Sequence, residues 1–144
     1  MKYTLHIDPE REEEIMIYAQ ENRPVFAEIQ RLLAGEESQL VGYEGDSIVV
    51  LKPKKITCFV SGGDKVFAIA GEHKYLVKKR LYQLEEQMGS DYIKINQSCL
   101  ANISQISRFS VSIGGSLEVV FRDGYRDFVS RRELKKVKER MGIL

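Results

Sequence analysis

The sequence predicts a mainly β protein with a few helices, in which an antiparallel β domain follows a small β-β-α extension. Short runs rich in β-branched and aromatic residues recur from residue 40 to residue 129, each closed by Gly, Pro or Asp breakers. Apolar residues fall at helical spacings of three and four in two places, and a capping pattern marks a third helix at the end of the chain. No apolar run approaches the roughly 20 residues that a membrane helix needs, so no membrane insertion is expected.

In the extension, Tyr3, Leu5 and Ile7 alternate with Thr4 and His6 until Asp8-Pro9 breaks the pattern, and Ile15, Ile17 and Ala19 repeat it. That period predicts strands over 3–7 and 15–19. Val25, Phe26, Ile29, Leu32 and Leu33 then mark one helix face, with Pro24 in the first turn and Gly35 just past the end. After the polar stretch 35–39, strands are predicted over 40–43, 47–52, 56–61, 66–70 and 74–77, divided by turn residues that include Gly62-Gly63-Asp64. Leu81, Leu84 and Met88 predict a helix within 79–88, closed by Gly89. Further strands are expected over 92–95, 106–113, 117–122 and 126–129, with hairpin turns at Gly114-Gly115 and Asp123-Gly124. A basic helix over 130–141 ends the chain, with Ser130 as N-cap and Glu133 as its capping-box partner. The resulting division is 1–40 for the extension and 41–144 for the main domain.

The net charge of +1 hides an asymmetry. Residues 1–40 carry four basic and nine acidic side chains, a net of −5, whereas the remainder carries 18 basic and 12 acidic, a net of +6. A basic part of this kind points toward a polyanionic partner. Cys58 and Cys99 sit in apolar stretches, not in a Cys-x-x-Cys pair, and neither His6 nor His73 lies at ligand spacing to them. Buried, reduced thiols and no metal site are expected. The N-terminus lacks the apolar core and small-residue cleavage site of a secretory signal, which predicts a cytoplasmic location.

Enzyme signatures are missing: there is no phosphate loop, dinucleotide fingerprint, nucleophile elbow or His-Glu-x-x-His pair. Neither catalysis nor a cofactor is expected. The informative residues are basic and amidic. Lys78, Lys79 and Arg80 precede the middle helix, and Arg131, Arg132, Lys135, Lys136, Lys138 and Arg140 crowd the last one. Between them, residues 94–102 (Lys-Ile-Asn-Gln-Ser-Cys-Leu-Ala-Asn) present donors and acceptors suited to phosphates and base edges.

The segment 92–106, a strand pair broken by Gly114-Gly115, and the stretch 129–137 (Val-Ser-Arg-Arg-Glu-Leu-Lys-Lys-Val) resemble the second half of a LytTR-type DNA-binding domain. Residues 55–84 resemble its first half, so the likeness covers about 46–141. It implies a LytTR-like β fold whose loops, and not a recognition helix, enter successive major grooves of double-stranded DNA. Carried over, Lys65 marks the first DNA-facing loop, Lys94, Asn96, Gln97 and Ser98 the second, and Ser130, Arg131, Arg132 and Lys135 the third. Asn96 and Gln97 stand where the family has a His followed by a basic residue, and Cys99 replaces a larger apolar one. Two cations are thereby lost from the central loop, although Asn and Gln pair well with adenine. Leu100 and Asn102 match the family pattern and are expected to fill the core and shape a turn.

Too few residues precede the domain for a phosphate-accepting receiver, so the expectation is a stand-alone, sequence-specific transcription regulator. The alternative is a protein-interaction module that keeps the fold without strong DNA binding. A homodimer on repeated half-sites is expected, with the acidic extension as the dimerising element or as a dock for a regulatory protein partner.

Overall fold

The computed structural model describes residues 1–34 and 39–143. The chain divides into two units, Met1–Glu36 and Glu37–Leu144.

The first unit holds one helix, α1 (Pro24–Ala34), which begins with Pro24 as predicted. The two strands expected over 3–7 and 15–19 are not formed: these residues have no strand pairing, and Tyr3, Leu5, Ile7 and Ile15 are all exposed. Alternation alone does not make a strand, since an isolated two-stranded hairpin is at best marginal without a surface to bury its apolar face. Gly35, the predicted stop, lies outside the described residues.

Among the described residues, the second unit contains ten strands, two α-helices and three single-turn 3-10 helices, the strands and α-helices being β1 (Leu40–Glu44), β2 (Ser47–Leu51), β3 (Cys58–Gly62), β4 (Lys65–Ala70), β5 (His73–Val77), α2 (Leu81–Met88), β6 (Tyr92–Asn96), β7 (Cys99–Asn102), β8 (Ile106–Val111), β9 (Leu117–Phe121), β10 (Arg126–Val129) and α3 (Arg131–Met141). They form a seven-stranded antiparallel sheet, β2-β1-β5-β4-β3-β7-β6, and a three-stranded one, β10-β9-β8. Two-residue turns set the registers. Gly63, at φ +62°, opens the β3–β4 turn and places Gly62 opposite Lys65. Gly71, at φ +61°, does the same for β4–β5 and places Val66 opposite Val77. These φ values are ones that glycine adopts without a steric penalty. At Gly42 the demand is for space: a Cβ there would stand 2.6 Å from Cβ of Tyr75, so β1 crosses β5 closely only because the side chain is missing.

The middle of the large sheet is buried on both faces. Cys58, Ile93, Ile95, Cys99 and Ala101 face a cluster completed by Val119 and Phe121 of the small sheet and Val137 of α3. Phe59, Ala68 and Leu100 face a second cluster closed by Leu84 of α2 with Leu40 and Leu51. This double burial explains β7, which the pattern did not predict: its four residues are all buried, so no polar alternation announces a strand. Cys58 and Cys99 are free thiols in the first cluster. The Cys99 thiol is pushed up from its ordinary range by the Cys58 thiol beside it and by burial.

Two buried polar side chains brace the connections. Asn102 donates from Nδ2 to the carbonyl oxygens of Ile56 (2.7 Å) and Pro53 (3.1 Å), while its Oδ1 accepts from the Ser104 N–H and hydroxyl. Thr57 Oγ1 donates to Asp123 Oδ2 at 2.7 Å and so joins the large sheet to the β9–β10 turn. Ser130 is the residue before α3, but its hydroxyl makes no capping bond. The capping box expected there is not formed, because the Glu133 carboxylate turns forward to Lys136, 3.3 Å away.

Candidate nucleic-acid interface

Four chain segments meet along one edge of the second unit, held in a row mainly by main-chain bonds. The β3–β4 turn carries Lys65, exposed at the first position of β4. Because Val66 pairs with Val77, the chain leaves β5 beside Lys65 and passes through Lys78, Lys79 and Arg80 into α2. Asp64, Lys65, Lys78, Lys79 and Arg80 line a shallow groove of about 390 Å³ between them. The Lys78 ammonium lies 4.5 Å over the Tyr43 ring, and the Lys79 ammonium donates to Gln87 Oε1. Arg80, exposed, donates its main-chain N–H to Gln83 Oε1 at 2.9 Å, which holds the entry to the helix.

On the other side of the β3–β4 turn lies the β6–β7 turn, fixed by the Ser61 N–H donating to the Ser98 carbonyl oxygen at 2.8 Å. Gln97 and Ser98 are exposed there. Asn96 is placed differently. Its Nδ2 donates to the Phe128 carbonyl oxygen (2.8 Å) and to Asp127 Oδ1 (3.0 Å), and its Oδ1 accepts the Ser98 N–H (2.8 Å). Both amide hydrogens are engaged within the protein, so this side chain braces the turn against β10. Lys94 is half-buried on β6, away from Ile93 and Ile95, whose side chains enter the first core cluster.

The row ends at the β10–α3 junction, where the Ser130 N–H donates to the Ile95 carbonyl oxygen at 2.9 Å. Arg131 and Arg132 are exposed in the first turn of α3, and Lys135 is exposed one turn on. The first amides of a helix have no partner within it and favour anions. Lys65, Gln97, Ser98, Ser130, Arg131 and Arg132 are thus gathered on one ridge, Lys135 extends it, Lys94 stands behind it, and Asn96 holds it together. Lys78–Arg80 stand out as basic in the sequence, but the LytTR resemblance carries no DNA-facing role over to them. The signal was present, because a two-residue turn at Gly71-Glu72 puts residue 77 opposite residue 66.

The family model of the LytTr DNA-binding domain matches residues 46–142. The chain belongs to the LytTR family. Uncharacterized HTH-type transcriptional regulators of Staphylococcus aureus, from strains NCTC 8325 and COL, are 32% identical over 104 residues, which is 72% of this chain and 71% of each relative. A LytTr DNA-binding domain from Bacillus cereus superposes with a TM-score of 0.69 at 17% identity, over 74% of this chain and 99% of that one. At that identity the likeness speaks for the fold alone. Membership of the LytTR family supports a DNA-binding regulator. Among the described residues, α2 and α3 are separated by five strands, so no helix-turn-helix pair occurs in the matched region. No described helix is long and apolar enough to cross a membrane.

Proposed function

We propose that this protein is a sequence-specific transcription regulator that receives the major groove of duplex DNA on its loop ridge. Gln97 and Arg132 read base edges, a task suited to an amide and a bidentate guanidinium. Lys65, Lys78, Lys79, Arg80, Arg131 and Lys135 neutralise phosphates, with Ser98, Ser130 and the first amides of α3 as neutral donors. Lys94 contributes charge from behind the central turn. Asn96 acts through position, keeping Gln97 and Ser98 in line with Arg132. The protein carries out no chemistry in this role and works in the cytoplasm as a homodimer.

The observation that carries this reading is the chain of bonds that keeps the row in register: Gly62 opposite Lys65, Ser61 to Ser98, Asn96 to Phe128 and Ser130 to Ile95. Loops held by a sheet in this way can present several contacts at once without ordering cost at the moment of binding. The naming of the staphylococcal relatives as transcriptional regulators agrees with it.

The test is a fluorescence-anisotropy titration of the full chain against a duplex at several salt concentrations. With about three or more phosphates neutralised, log affinity should fall linearly with log salt at a slope near −3 or steeper. Absence of binding, or binding indifferent to salt, contradicts the proposal.

A further inference from the structure

Among the described residues, the outer side of β2 is an open sheet edge of unusual composition. Two sheets have four edge strands, β2, β6, β8 and β10. Three of them carry charges, Lys94 on β6, Arg108 on β8, and Arg126 and Asp127 on β10, whereas β2 reads Ser-Ile-Val-Val-Leu without one. Charged side chains on an edge are a common guard against pairing with another chain, and β2 has none. The opposite edge of the same sheet, β6, is engaged by Ser130 at the Ile95 carbonyl.

The two-residue turn Gly45-Asp46 makes Glu44 and Ser47 the pair that closes the β1–β2 hairpin. Hydrogen bonds alternate from there, so Val49 and Leu51 bond inward to β1 while Ile48 and Val50 turn their main-chain N–H and C=O groups outward. The side chains of Ile48 and Val50 are 67% and 60% exposed, and Val41, opposite Val50, adds 36% to the same face.

The segment is also self-complementary. Residues 46, 48, 50 and 52 are Asp, Ile, Val and Lys. If a second β2 lies antiparallel to the first with Val49 on the two-fold axis, Ile48 meets Val50 of the second copy and their outward main-chain groups bond as a pair. In that same register Asp46 meets Lys52 of the second copy, and Lys52 meets its Asp46. Parallel pairing would bring Asp46 beside Asp46 and Lys52 beside Lys52, with like charges opposed. We propose that β2 is a homodimer interface, in which two copies pair their β2 strands antiparallel about Val49 and join their seven-stranded sheets into one. This goes beyond the DNA-binding reading and does not depend on it.

Sedimentation equilibrium of the full chain tests the pairing, with circular dichroism confirming the fold of each variant. The wild type should dimerise, and Val50→Lys, at an exposed site, should be monomeric at concentrations where the wild type is dimeric. Asp46→Lys opposes like charges at both ends of the pairing and should weaken dimerisation by about tenfold or more. The double variant Asp46→Lys with Lys52→Asp exchanges the two signs and should recover most of that loss. A wild type that stays monomeric, a Val50→Lys variant that still dimerises, or a double variant no better than Asp46→Lys would each overturn the proposal.

Discussion

The Asn96 side-chain amide donates to the Phe128 carbonyl oxygen at 2.8 Å and thereby ties the β6–β7 turn to the strand that leads into α3. Two segments of the proposed interface, 32 residues apart in the chain at this bond, are held together by it and by Ser130 to Ile95. Asn96→Ala should therefore cost about 1–3 kcal/mol of stability, since it removes three side-chain hydrogen bonds each worth roughly 0.5–1.5 kcal/mol net. It should also weaken DNA binding, by loosening the ridge. Gln97→Ala, one residue on and exposed, should leave stability within about 0.5 kcal/mol and still reduce affinity. Urea denaturation and anisotropy on the same two variants separate brace from reader; equal stability losses for both would contradict the assignment.

Arg132 and the cations at the far end of the ridge should fail in different ways. Arg132→Ala should cost about 1–3 kcal/mol on a preferred sequence and little on an arbitrary duplex. Lys65→Ala and Arg80→Ala should weaken both duplexes alike, each reducing the salt slope by about 1. The comparison is a salt series with two duplexes; identical behaviour of all three variants would remove the distinction between reading and neutralising.

Alkaline pH offers a test of the packing at the ends of β6 and β10 that lie away from the ridge. Burial raises the Tyr125 phenol from 10.0 to about 12, and it raises the Tyr92 phenol as well, whose hydroxyl donates to the Pro53 carbonyl oxygen at 2.7 Å. Folded-state values above the unfolded one mean stability that is complete below pH 10 and is lost as pH rises through the folded-state values. Melting temperature should hold up to about pH 9 and then fall, and Tyr92→Phe should lower stability at neutral pH while making the alkaline fall shallower. A melting temperature independent of pH up to 11 would speak against the raised phenols of Tyr92 and Tyr125.

The thiols provide a probe of the core shared by the two sheets. Cys58 and Cys99 are fully buried, and the raised Cys99 thiol is a poor nucleophile. Reaction with a thiol reagent should be slow in the native protein and fast in urea, and rapid native labelling would mean that the first core cluster is open.

How much of this was legible in the sequence depended on whether a feature was local. Gly63, Gly71 and Gly124 marked hairpins because a tight turn imposes a positive φ on one residue, and Leu81 and Leu84 revealed α2 because one face meets the core. Residues 3–7 and 15–19 misled, since alternation records a capacity to pair and not the presence of a partner. Cys99–Asn102 was missed for the opposite reason, being buried on both faces, so that no exposed polar residue alternates with the apolar ones. At the candidate site, the LytTR resemblance pointed to Lys65, Gln97 and Arg132, but only the strand register set Lys78–Arg80 beside Lys65. Asn96 shows the limit most clearly: its amide suited a base edge, and the fold spends it on Phe128 and Asp127.

Whether the ridge reads sequence on duplex DNA is decided by selection from a pool of random duplexes, followed by sequencing. The wild-type chain should enrich one recurrent motif, and Arg132→Ala should lose or relax the preference at particular positions while still retaining duplex weakly. A folded wild-type protein that enriches no motif above a protein-free control would contradict the account.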